Sequence, residues 1–250
     1  QLEAINQFNA TLDKDKGFVR IGAITPSLTY DFRVNKINPQ KGGVIGLSAE
    51  FASPTFFSMK TEGKEVNYVK LISRNRYYFN AMGWVYACSL SFGYQKNLAT
   101  DVLVDNYGMP VVDTDGGYKF KGFIPSIKVF SLSGIDNVRG FTPNEINKLD
   151  TGENIGEVIV KDKAFFSNLK FEPRYYFNEQ FAFSFFVDGG RLYVGDFNPL
   201  TMRFGAGLGV KLLTPVGSLD FDYGVKLKRK VFSSSQKEEF GRFHLSIGFF

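Results

Sequence analysis

Toward the C-terminus, apolar residues recur at every second position. Phe204, Ala206, Leu208, Val210 and Leu212 alternate with Arg203, Gly205, Gly207, Gly209 and Lys211, and Leu219, Phe221, Tyr223, Val225 and Leu227 alternate with Ser218, Asp220, Asp222, Gly224 and Lys226. Successive side chains of a strand point to opposite faces, so each segment has one greasy face and one polar or glycine face. The same period governs Phe181, Phe183, Phe185 and Val187 against Ala182, Ser184, Phe186 and Asp188. It also governs Phe165, Leu169, Phe171, Tyr175 and Phe177 against Asn168, Lys170, Glu172 and Arg174. Pro173 interrupts this last segment and predicts a bulge or a strand end there. Further strands are predicted over residues 84–94, 66–79, 44–52 and 21–32, with a weaker one over 2–12. With the closing run of Phe243, Leu245, Ile247 and Phe249 they number ten.

A soluble antiparallel sandwich also alternates, and three features argue for a membrane instead. Several segments reach the roughly 9–11 residues that a tilted strand needs to cross a bilayer, whereas soluble strands average about five or six. Aromatic residues crowd the segment ends, as in Tyr77-Tyr78-Phe79, Tyr175-Tyr176-Phe177 and Phe249-Phe250, which suits interfacial girdles. The outward faces carry almost no charge, and a cation there costs about 2–4 kcal/mol at the bilayer midplane. The predicted fold is all-β, a transmembrane antiparallel β-barrel spanning residues 1–250.

Composition narrows the function classes. The chain has 250 residues, 44% hydrophobic and 16% aromatic with 26 glycines, which is enough for one sizeable ordered domain. No continuous apolar run is long enough for a membrane helix, and a mean hydropathy near zero fits a barrel with a polar interior. One cysteine, Cys88, excludes an internal disulfide and a thiolate zinc cluster; no metal or cofactor is expected. The single histidine, His244, reads as a lumen-facing polar residue rather than a catalytic base. The excess of 30 basic over 25 acidic residues is modest and dispersed, so no nucleic-acid partner is expected.

Residues 100–156 break the rhythm. Loops above about 15 residues are uncommon unless functional, and this one carries Val138-Arg139-Gly140-Phe141. At that motif the chain resembles the BamA and TamA superfamily of outer-membrane assembly and translocation barrels. Three further segments carry the resemblance in family order. Tyr30-Asp31-Phe32-Arg33 followed by Pro39 and Gly42-Gly43 is similar to its Asp-x-Arg, Pro, Gly hairpin, Phe185-Phe186-Val187-Asp188-Gly189-Gly190 to its aromatic and Asp-Gly strand, and Gly207-Leu208-Gly209 through Thr214-Pro215-Val216-Gly217 to its Gly-x-Gly, Thr-Pro-x-Gly segment.

The resemblance implies that loop residues Arg139, Gly140 and Phe141 fold into the lumen, with Arg139 paired to Glu172 and Asp188. Both acids fall on the polar side of their strands by parity alone. A shielded arginine needs paired carboxylates, and guanidinium suits bidentate pairing. The pairing would hold both acids ionised, the wrong state for a general acid, so no enzyme activity or catalytic residue is expected. The final segment, with Phe243, Leu245, Ile247, Phe249 and Phe250, resembles the C-terminal signal of barrel proteins and would form one side of a lateral gate.

The implied function is insertion of outer-membrane proteins or translocation of polypeptide, in the outer membrane of a Gram-negative bacterium in preference to an organelle. Outer-membrane lipid, unfolded outer-membrane or secreted polypeptides, and periplasmic or lipoprotein accessory subunits are the implied partners. Alternatives are a two-partner-type secretion pore and a barrel anchor for an upstream patatin-like enzyme. Family barrels have sixteen strands and periplasmic POTRA domains; ten strands and no POTRA-like unit predict the C-terminal part of a longer chain. A reduced barrel, closing alone or by pairing chains, stays open as an alternative. In a closed ten-stranded barrel the long loop would hardly fit.

Overall fold

The computed structural model describes residues 19–61, 64–112, 117–149, 152, 154–155, 160, 162–215, 217–229 and 238–247. Ten strands form one antiparallel sheet: β1 (Ala23–Ile24), β2 (Ser27–Asp31), β3 (Gly42–Ala52), β4 (Tyr68–Ala81), β5 (Trp84–Asn97), β6 (Lys163–Tyr176), β7 (Phe181–Val194), β8 (Arg203–Thr214), β9 (Gly217–Lys226) and β10 (Gly241–Ile247). From β3 onward each strand pairs with the next in sequence, while β1 and β2 both pair with β3. Among the described residues the sheet is open, with β1 and β2 at one edge and β10 at the other. Four central strands, β4 to β7, run 14 residues each. That exceeds what a tilted strand needs to cross a bilayer.

Two local expectations are corrected. Residues 21–32 do not form one strand, because Pro26 separates β1 from β2. The pairing register with β3 nevertheless runs on unchanged from Ala23↔Ala52 to Asp31↔Val44, so the two pieces behave as one edge strand nicked by a proline. The strand count of ten therefore arises differently from the sequence reading, whose segment 2–12 lies outside the described residues. Pro173 makes neither a bulge nor an end. β6 continues through it, and only the ladder to β7 loses its pairs at Glu172 and Pro173, with the same register on both sides of the gap. Proline has no N–H to give that ladder.

The alternation maps onto two faces as the period requires. Ile45, Leu47, Phe51, Leu71, Leu90, Leu169, Phe171, Leu208, Val210, Phe221 and Leu245 stand exposed on the convex side. The alternate positions are buried, including Asn168, Lys170, Glu172, Arg174, Asp188, Lys211, Asp220 and Asp222. This inverts a soluble fold, in which the apolar face is the hidden one. Outward rings touch one another in two bands. Tyr30, Phe32, Tyr77, Phe79, Tyr86 and Phe171 form a chain of contacts toward the short-turn end, joined there by Trp84 with Tyr175. Phe92, Tyr94, Phe165 and Phe197 cluster toward the loop end. From Trp84 to Phe92 a strand rises about 27 Å, which strand tilt brings near the height of an outer-membrane apolar band. Ser73 and Asn75 are the polar exception on the outer face of β4, and Asn75 Nδ2 donates to Ser73 Oγ at 2.8 Å.

Between β5 and β6 the chain crosses the concave face instead of standing in solvent. Loop residues Ile124, Val129, Phe130, Leu132, Val138, Phe141, Ile146 and Leu149 join Tyr68, Ala164, Phe166 and Leu192 of the sheet in the protein's apolar cluster. Residues 128–140 bond inward-facing side chains from β4 (Arg74 to Asp136, 2.7 Å) across to β10 (His244 to Gly140, 2.9 Å). One short segment can reach strands that far apart only if the sheet wraps around it. The open, curved sheet thus houses the loop that a closed ten-stranded cylinder could hardly hold.

Candidate functional site: a loop arginine held on the inner face

The loop segment 138–141 lies on β7, β8 and β9, and missing side chains make the space for it. A Cβ on Gly205 would fall 2.0 Å from the Arg139 carbonyl oxygen, one on Gly224 would fall 2.6 Å from the Gly140 nitrogen, and one on Gly190 would fall 2.6 Å from Val138 Cγ2. Inward glycines on three adjacent strands therefore form a groove into which the loop backbone descends. Gly140 has φ +96°, a conformation strained for any L side chain. That turn sends Phe141 into a buried position under the Arg203 guanidinium, 4.5 Å from the ring centre.

Thr142 then starts a one-turn helix, α1 (Pro143–Ile146), with a reciprocal cap: Thr142 Oγ1 accepts from the Glu145 N–H, and Glu145 Oε2 accepts from the Thr142 N–H at 2.7 Å. Glu145 also accepts from Lys226 Nζ at 2.6 Å, and its carbonyl accepts from Arg203 at 2.7 Å. Burial would raise the Glu145 carboxyl, but the Lys226 ammonium and the Thr142 N–H outweigh it and hold the group below its ordinary value.

Arg139 is 6% exposed, and Glu172 and Asp188 are 0% exposed. Its Nε and Nη2 donate to the two oxygens of Asp188 at 2.7 and 2.8 Å, a bidentate fork, and its backbone N–H adds a third bond to Asp188 at 3.1 Å. Nη1 donates to Glu172 Oε2 at 2.5 Å and to Asp222 Oδ2 at 3.0 Å. The guanidinium also lies 3.6 Å from the centre of the Phe186 ring. Glu172 is shared, accepting from Arg174 at 2.8 Å and lying 3.0 Å from Lys211, which in turn bonds Asp220 at 2.7 Å. Lys170, whose Nζ donates to Asn137 at 2.8 Å, sits across the ladder from Asp188. Cations Arg139, Lys170, Arg174 and Lys211 thus stand against anions Glu172, Asp188, Asp220 and Asp222. Such balance is what a shielded charged network requires.

Of the residues singled out in the sequence, the structure brings together Arg139, Glu172 and Asp188, with Gly140 and Phe141 beside them. The segment of Phe243, Leu245 and Ile247 is apart from this cluster: those side chains face outward on β10, while Phe249 and Phe250 lie outside the described residues. Sequence reasoning missed Asp222, Phe186, the glycine groove and the contact that His244 makes. His244 does face inward, and its Nε2 accepts the Gly140 N–H at 2.9 Å. The available signal was register: His244 is directly opposite Asp222, and Gly205 lies directly opposite Asp188. This arrangement fixes a loop by charge and shape; the described residues contain no group of histidine, cysteine and acidic side chains suited to a metal.

No curated protein matches the chain. Among solved structures it is similar to the crystal structure of BamA from Haemophilus ducreyi lacking POTRA domains 1–3, with a TM-score of 0.54 and 16% sequence identity over 88% of this chain. The chain spans 41% of the length of that protein, and at this identity the likeness is one of fold alone. A family model described as the Omp85 superfamily domain matches residues 2–250, nearly the whole length, and with the outward apolar face, the inward ionic network and the docked loop already in view, the chain belongs to the Omp85 superfamily.

Proposed function

We propose that the chain forms the C-terminal part of an outer-membrane barrel that inserts outer-membrane proteins or moves polypeptide across that membrane. The single observation that carries this reading is a loop docked by Arg139 on the inner face of a sheet whose outer face is apolar, in a chain of the Omp85 superfamily. β10 bonds β9 on one side and nothing on the other among the described residues, and its outward Phe243, Leu245 and Ile247 are among the most exposed apolar side chains of the sheet. An unpaired strand edge offers a row of backbone donors and acceptors, the template for adding an incoming strand. Arg139, held by Asp188, Glu172 and Asp222, keeps the loop on the concave side. The work on this reading is physical, strand templating and membrane passage, with no bond made or broken.

The test is reconstitution of the full gene-encoded protein in vesicles with an unfolded outer-membrane barrel protein as substrate. Cysteine pairs between β10 and the substrate's terminal strand report strand addition. Crosslinks together with faster acquisition of heat-resistant substrate are expected. Vesicles that conduct ions or pass an unfolded secreted chain, with neither crosslinks nor accelerated folding, would instead favour a secretion pore.

A further inference from the structure

The contact between His244 and Gly140 joins two elements that otherwise belong to different parts of the chain, the terminal strand and the docked loop. We infer that it is a proton-sensitive clasp: the loop is tied to β10 while the imidazole is neutral and released when it is protonated. The chemistry follows from the direction of the bond. Gly140 supplies a backbone N–H, which can only donate, so Nε2 must accept at 2.9 Å and must carry no proton. Nδ1 then holds the ring hydrogen. Adding a proton to Nε2 turns the acceptor into a donor aimed at another donor, and the bond is lost. Gly140 cannot easily find a substitute acceptor, because its φ of +96° and the closeness of Gly224 fix the direction of its N–H.

The ring is partly exposed, so protons reach it. The charged groups around it come from every element nearby: Asp222 opposite on β9, Asp188 on β7, Lys170 on β6, Arg242 on β10 itself and Arg139 on the loop. Two of them, Asp222 and Asp188, hold Arg139, so a charge arriving on His244 enters the network that fixes the loop. A cation there competes with Arg139 for Asp222 in particular. The clasp stands on this contact alone and holds whichever polypeptide the barrel handles.

His244 is the single histidine of these 250 residues, and loss of its ring signals in His244→Gln assigns them in the full-length protein. The full-length protein is folded in micelles with selectively labelled glycine, and amide resonances are followed from about pH 8 to about pH 5, the range that brackets an imidazole. Expected are a one-proton transition of the Gly140 amide that coincides with titration of the ring, and movement of Gly205 and Gly224, which lie under the loop, at the same midpoint. His244→Gln keeps a non-titrating acceptor, so the bound-state shifts should persist across the range. His244→Leu removes the acceptor and should give released-state shifts at every pH. A Gly140 amide that ignores ring titration, a transition that survives in His244→Gln, or Gly205 and Gly224 resonances that stay put would each overturn the inference.

Discussion

Replacing Arg139 with alanine should open the loop by an amount the structure allows to be estimated. The substitution removes four side-chain hydrogen bonds at once, two to Asp188 and one each to Glu172 and Asp222. The three acids are not left equally exposed to the loss. Glu172 keeps Arg174 and Lys211. Asp188 loses both guanidinium bonds and keeps only the residue-139 backbone N–H, and Asp222, whose Oδ1 already lacks a protein partner, loses the bond to Oδ2. Two buried carboxylates remain with little compensation, and removing one partner of a buried pair costs about 3–5 kcal/mol. At about 1.4 kcal/mol per decade, the population of undocked loop should rise roughly 100- to 4,000-fold. Proteolysis in the regime where reclosing outpaces cleavage tracks that population, so cleavage within residues 117–149 should accelerate by the same factor while strand content stays constant. The penalty lies in unpaired charge, which allows a sharper test. Asp188→Asn alone should speed cleavage, yet in the Arg139→Ala background it should slow it, because it neutralises an orphaned carboxylate. If Asp188→Asn is equally harmful in both backgrounds, the charge explanation is wrong, and if Arg139→Ala leaves cleavage unchanged, the arginine does not hold the loop.

The face map predicts depth dependence: Leu208→Arg, mid-strand on the outer face, should cost about 2–4 kcal/mol of folding into vesicles, whereas Phe177→Arg at the short-turn end should cost no more than about 1 kcal/mol. Equal urea midpoints for the two would count against a spanning sheet. Gly205→Ala should displace the loop by overpacking at a cost of about 1–3 kcal/mol, since its Cβ meets the Arg139 carbonyl, while Gly46→Ala, whose nearest neighbour is 3.3 Å away, should leave loop protection intact. Glu145 is held below its ordinary value by Lys226 and the Thr142 N–H against the effect of burial. Its contribution is therefore present above the ordinary carboxylate range and lost as pH falls through the lowered folded value. Loop protection in His244→Gln should accordingly decline only in acid, and Glu145→Gln should remove that decline.

What the sequence could and could not disclose follows from which interactions have a period. The two faces of β3 to β10 were legible because alternation belongs to each strand by itself and survives whether or not the sheet closes. Arg139, Glu172 and Asp188 were legible because a motif named the loop residue and parity put both acids inside. Asp222 had the same parity and was still not singled out, since many inward polar residues compete and the strand pattern does not say where a loop crosses. That crossing is set by Gly190, Gly205 and Gly224, each of which in its own strand reads merely as a small inward residue. Only the pairing register aligns their gaps into a groove, and register is a property of neighbouring strands. The loop between β5 and β6 has no period of its own, so the path of its described residues depends on partners such as Lys70, Arg74, Lys170 and Lys226 drawn from three strands. His244 shows the same limit from the other side. Its inward direction was readable, but its role needed Gly140, 104 positions away in sequence and 2.9 Å away in space.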